Sequence, residues 1–206
     1  MLSPVFALFF TLNLAYAEEN FKISQLKTFF VAEKAQSATV LKRVDDGEVY
    51  TKSIVEDQGS GEKREQSLNF MITGLHPKSC HFALRKLSLF EQYKNLVDFI
   101  RDSQYDEKMG RVYFLLESKI LPVKMSLSFN IPRINKAGVY DFSFDQGIFL
   151  HLKGKIHAYE YKNKCLIFSE AHWQGRHTGY PNIMVELFSE TLSKISMETM
   201  FRVTKL

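Results

Sequence analysis

Hydrophobic and polar positions change period several times along this chain. Phe21, Leu26, Phe29 and Phe30 stand at loosely helical spacing and predict a helical segment at residues 18–39. In "VLKRVDDGEVYTKSIVED", Asp45-Asp46-Gly47 supplies turn chemistry between two β-rich runs and predicts a hairpin. "QGSGEK" at 58–63 reads as a turn, and Leu68, Phe70 and Ile72 then alternate with polar positions as a half-buried strand. From His76-Pro77 the period lengthens: Cys80, Ala83, Leu84, Leu87 and Phe90 predict a helix of about three to four turns. Strands and turns follow for roughly ninety residues. "RVYFLLESK" is apolar on both faces and is expected to be central. Met125, Leu127, Phe129 and Ile131 share one strand face, and Tyr140, Phe142 and Phe144 share another. Ile148, Leu150, Leu152, Gly154 and Ile156 are expected to line one side of a further strand, opposite His151, Lys153, Lys155 and His157. "KCLIFSEAHW" predicts the last strand. A closing helix begins near Pro181-Asn182, with Met184, Leu187, Phe188, Thr191 and Ile195 as its apolar stripe. Antiparallel strands bracketed by two helices indicate an α+β fold.

The first seventeen residues stand apart. "MLSPVFALFFTLNLAYA" has no charged side chain, and Ala15 and Ala17 occupy the −3 and −1 positions of a small-residue cleavage site. This predicts a signal peptide at 1–17 and an exported protein, periplasmic or secreted. The net charge of +4 comes from lysines interleaved with acids, not from a basic stripe. A nucleic-acid face is therefore not expected, and membrane contact is at most peripheral. Cys80 and Cys165 are the two cysteines. An oxidising compartment would let them bridge, and two buried unpaired thiols are the alternative; spacing does not choose between them.

Candidate chemistry is sparse. "AHWQGRHTGYPN" at 171–182 holds two histidines and the single tryptophan. A zinc site needs three or four ligands, and no third stands at recognisable spacing, so no metal is expected. The segment reads as a loop into the last helix, opening at Gly175, with Trp173 near it. His151, His157, Lys153 and Lys155 form a wet strand face, with an anionic-ligand patch as the alternative. Glu170 and His172 are the candidates for acid–base work, which would require them to point inward. No local nucleophile motif or phosphate loop is present, so no catalytic set and no cofactor is assigned.

The stretch "RVDDGEVYTKSIVEDQGSGEKREQSLNFMITGLHPKSCHFALRKLSLFEQY" resembles the front of a START-like domain. This is the helix-grip superfamily (SRPBCC), which includes polyketide cyclases and lipid carriers. The matching positions are Asp46-Gly47, Val49-Tyr50, the Leu68–Leu75 strand and His76-Pro77. "FDQGIFLHLKGKIHAY" is similar to that family's paired late strands, and the closing helix to its grip helix. The resemblance spans residues 40–206. It implies a curved antiparallel sheet of about six to seven strands wrapped around a long C-terminal helix, with an apolar cavity between them. Met125, Leu127, Phe129, Phe142, Leu150, Leu152, Trp173, Met184 and Phe188 would then line a site for a hydrophobic small molecule or lipid. The alternatives are an enzyme of cyclase or hydrolase type using the same cavity, and a protein-interaction module with a filled core.

Overall fold

The computed structural model describes residues 37–117 and 124–205. The leader at 1–17 and the helical pattern within 18–35 lie outside the described residues. The chain divides between Arg43 and Val44 into two units, and the second, residues 44–206, carries the fold.

Helix α1, Ser37–Asp45, occupies the run expected to be the first arm of a hairpin. Gly47 stops it: its N–H donates to the Val44 carbonyl at 3.0 Å, with φ at 90°. A left-handed glycine just past a helix is a C-terminal cap, and its Asp-Gly signature is shared with hairpin turns. The true hairpin is β1, Tyr50–Gln58, with β2, Glu65–His76, joined through a 3-10 turn at Gly61–Lys63.

Eight antiparallel strands form one open sheet in the order β1-β2-β8-β7-β6-β5-β4-β3. Strands β3 (Ile100–Asp106), β4 (Arg111–Leu116), β5 (Met125–Asn130), β6 (Gly138–Gln146), β7 (Lys153–Tyr161) and β8 (Lys164–Arg176) make a continuous meander. The β1–β2 hairpin joins it through one long-range seam, from Glu65 opposite Arg176 to His76 opposite Cys165. The sheet is α+β in setting, as expected, with eight strands instead of six or seven. The "RVYFLLESK" strand, β4, is next to the edge rather than central, because β3 supplies one further strand outside it.

Helix α2, Cys80–Leu87, is shorter than its apolar spacing predicts. It begins three residues after Pro77, where the Glu160 carboxylate accepts from the Cys80 N–H at 2.7 Å and supplies the cap that Ser79 does not. It ends where the Ser88 hydroxyl lies between the carbonyls of Leu84, at 2.8 Å, and Ile134, at 2.9 Å, either of which can accept its one proton. A separate 3-10 helix, Phe90–Asn95, takes up the rest of the expected length.

The 23-residue helix α3, Asn182–Thr204, closes the chain. Its inward stripe is Val185, Phe188, Ser189, Leu192, Ser193, Ser196, Met197 and Met200, which shares only Phe188 with the expected stripe of Met184, Leu187, Phe188, Thr191 and Ile195. Ile183, Leu187 and Ile195 face solvent, at 72 %, 59 % and 39 % exposure. Apolar residues occur all round this helix, so periodicity alone left its phase open. Two carboxylates settle it: Glu190 accepts from the Ser53 N–H at 2.6 Å, and Glu186 from the Val55 N–H at 2.8 Å. Both donors lie on the free edge of β1, which would otherwise present unpaired backbone to solvent.

The candidate ligand cavity

The β8 strand continues through Gly175 to Arg176, two residues further than the loop reading allowed. Alternation along it therefore sends Ile167, Ser169, Ala171 and Trp173 to one face and Glu170 and His172 to the other. The first set faces α3. Gly175 is needed here, because a Cβ would stand 2.8 Å from the Trp173 ring. The 177–181 loop is then fastened by Gln66, which is fully buried. Its amide donates to Asn182 Oδ1 at 2.7 Å and to the Tyr180 carbonyl at 3.2 Å, and its oxygen accepts from the Thr178 hydroxyl at 2.7 Å. This one side chain sets where α3 starts.

Between α3 and the sheet lie two adjoining chambers of about 380 and 310 Å³. The first runs under the C-terminal half of α3 and beside α2, against Ile72, Ile156, Ile167 and Ser169. The second runs under the N-terminal half of α3 and reaches the Gly147–Leu152 turn, where Ile148 both lines it and is partly exposed. Phe70, Phe114, Phe129, Phe144, Leu152 and Ser193 border both chambers. The aromatic floor is continuous: Tyr93 stacks on Phe114 at 5.5 Å, Phe114 meets Phe129 at 5.6 Å, and Phe129 stacks on Phe144 at 5.1 Å.

Among the described residues no Asp, Glu, His, Lys or Arg lines either chamber. The Tyr93 phenol is buried, which pushes its pKa up, and it already donates to the Leu87 carbonyl at 2.6 Å. Ser88, Ser189 and Ser193 likewise spend their hydroxyls on helix or loop carbonyls. The walls thus offer hydrocarbon contact and very little else.

Of the nine residues expected to line a site, Met125, Leu127, Phe129, Phe142, Leu152 and Phe188 do border the cavity. Leu150, Met184 and Trp173 do not. Leu150 is 43 % exposed, because residues 147–152 form a turn and not the start of the strand. Gly147 and His151 adopt positive φ there, and this brings Phe149 inward instead. Met184 sits one residue ahead of the inward Val185. Trp173 is core: it is 3 % exposed, meets Phe149 edge-on at 5.4 Å and donates its indole N–H to the Leu150 carbonyl at 3.0 Å. Further lining residues are Phe70 on β2, Phe114 on β4, Tyr93 on the 3-10 helix and the serines of α3, and strand alternation is silent on the last two because they lie on helical segments.

The polar candidates stand elsewhere. Glu170 lies 3.5 Å from His157, and His172 bonds Asn69 at 2.8 Å, both on the sheet face opposite the cavity. Lys155 is 3.9 Å from Asp141, so the cationic face is interleaved with acids. His177 lies 3.5 Å from Asp57 and not beside His172. No group of three metal-ligating side chains occurs among the described residues, and no described helix is long and apolar enough to cross a membrane.

Cys80 and Cys165 form a disulfide with their Cα atoms 4.4 Å apart. It fastens the start of α2 to the start of β8. Beside it His76 is fully buried, its Nδ1 accepting from the Lys78 N–H at 3.1 Å. The Thr204 hydroxyl donates to the Met200 carbonyl, so its 3.1 Å contact with His76 Nε2 is one in which the imidazole donates. Burial holds the His76 pKa below the ordinary value, and the Lys78 charge adds to this.

No family model matches this chain, and no curated protein sequence matches it. Solved structures do match. Ara h 8.0201 superposes with a TM-score of 0.54 at 11 % identity, over 68 % of this chain and 98 % of its own. A conserved protein from Geobacillus kaustophilus gives 0.55 at 10 % identity, over 66 % and 95 %. The Zhui aromatase/cyclase from Streptomyces sp. R1128 gives 0.52 at 9 % identity, over 76 % and 94 %. At such identities the likeness concerns the fold, and with the eight-stranded sheet, the grip helix and the cavity between them it leads to one conclusion: this chain has the START-like, helix-grip fold.

Proposed function

We propose that this protein is an exported carrier of a hydrophobic small molecule or lipid, held between the sheet and α3. The observation that carries the reading is the pair of joined chambers walled by apolar side chains in the middle of the domain. Cores are normally packed to crystal-like density, so space on this scale is costly unless a ligand occupies it. Burial of an apolar ligand contributes about 25 cal/mol per Å² of surface removed from water, before ordering costs. Carriage is favoured over catalysis because the acid–base candidates Glu170 and His172 face away from the chambers. Export is supported by the Cys80–Cys165 bridge, since such bonds persist in oxidising compartments.

Native mass spectrometry of gently purified protein tests the reading. A co-purifying apolar mass is expected, and it should be lost in Ser193→Phe, which places a ring where the chambers join. A mass without ligand, together with no uptake of the apolar fluorophore N-phenyl-1-naphthylamine, would overturn it. Export is tested by the N-terminus of protein recovered from a secreting host, expected at Glu18.

A further inference from the structure

Two hydroxyls break the hydrocarbon wall. Ser169, on β8, is 9 % exposed, and its paired neighbours are Ile72 on β2 and Ile156 on β7. Ser196, on α3, borders both chambers. Both border the first chamber, one from the sheet and one from the helix, and neither hydroxyl has a hydrogen-bond partner among the described residues. This separates them from Ser88, Ser189 and Ser193, whose hydroxyls are already engaged with backbone carbonyls. An unpaired hydroxyl in an apolar enclosure is unfavourable unless something else completes it. On the sheet side only aliphatic side chains flank Ser169, so the completing group must come from the contents of the cavity.

Charge decides what that group is. Bringing a carboxylate or phosphate into such a space without a cation carries a large desolvation penalty, and no described residue lining the chambers is cationic. A neutral hydroxyl or carbonyl loses far less and can exchange hydrogen bonds with serine in either direction. We propose that Ser169 and Ser196 together form the polar anchor of the cavity, and that the ligand is a neutral, mainly hydrocarbon molecule carrying an alcohol or carbonyl group at that point. This rests on the carrier reading and names its ligand class.

The test is displacement of N-phenyl-1-naphthylamine by decan-1-ol, decane and decanoate at neutral pH. On the native protein the alcohol should compete roughly fivefold better than the hydrocarbon, the gain expected of one net hydrogen bond in a dry site. Decanoate should compete less well than the alcohol. In Ser169→Ala/Ser196→Ala the alcohol's advantage should disappear while the fluorophore still binds. Ser196→Ala alone, at the less buried position, should remove part of it. An alcohol no better than decane on the native protein, an advantage that survives the double substitution, or strongest competition by decanoate would each overturn the anchor. A fluorophore that does not bind the native protein at all would overturn the carrier reading and the anchor with it. A bound fluorophore with no preference among competitors would overturn the anchor alone.

Discussion

The two ends of α3 are held in different ways. Its C-terminal end is built into the core: Met200, Phe201 and Thr204 are buried, Phe201 meets His76 edge-on at 5.2 Å, and the disulfide stands behind them. Gly74 lets the helix come this close, since a Cβ there would lie 2.9 Å from Phe201 and 3.1 Å from Met197. The N-terminal end is held mainly by polar devices at its rim. Gln66 knots the preceding loop, and Glu186 and Glu190 hook the free edge of β1. Ile183 and Leu187 remain in solvent beside them. A packed end keeps the grip helix in place, whereas a hooked end can yield without loss of the core. The second chamber, the one that reaches the partly exposed Ile148, lies beneath the hooked end.

The largest effect is expected at the packed end. Replacing both cysteines by serine, or reducing the bridge, removes a link across 85 residues and should lower stability by roughly 4–5 kcal/mol on chain-entropy grounds. Thermal unfolding with and without reductant reads this directly. A change near zero would mean that the packed end does not depend on the bridge.

His76→Ala comes next, at about 3 kcal/mol, since it opens space and leaves Thr204 and the Lys78 N–H without their partner. It also carries a pH signature. The native pKa is held below the ordinary 6.5, so the unfolded chain takes up the proton first as pH falls. The contribution of His76 is therefore fully present above pH 6.5 and is lost below it, down through the native pKa. Denaturant titrations across that window should show this loss, and His76→Gln should flatten it.

Glu186→Ala and Glu190→Ala should each cost about 1 kcal/mol, because the edge N–H groups they release can turn to water. Their larger effect should be kinetic. Amide exchange at Ser53 and Val55 should accelerate, and a bound apolar probe should leave faster, with exchange at the packed end unchanged. Equal acceleration at both ends would mean that the two ends are held alike. The smallest effect is expected for Leu187→Ser, within about 0.5 kcal/mol by chemical denaturation, because the side chain is largely in water already.

Much of the architecture was legible in the order of the apolar patterns. Strands with strict alternation, such as Met125-Leu127-Phe129 and Leu68-Phe70-Ile72, carry their own face assignment because a strand has a period of two. Readings failed where one local signal serves two structures. Asp-Gly ends a helix at 45–47 as readily as it turns a hairpin, and the 147–152 run alternates like a strand while folding as a turn. The phase of α3 was hidden because several serines face inward while Ile183, Leu187 and Ile195 face outward. Ser189 and Ser193 ease that inversion by satisfying their hydroxyls within the helix, whereas Ser196 does not.

By itself, then, the sequence determined an α+β chain of antiparallel strands closed by a long helix, since periodicity is a local property of neighbouring residues. Tertiary structure alone decided that Cys80 meets Cys165, that Glu186 and Glu190 choose the helix face, and that Ser169 and Ser196 open into one apolar space. Each of these joins residues far apart along the chain, and no local pattern records which distant partner a side chain will find.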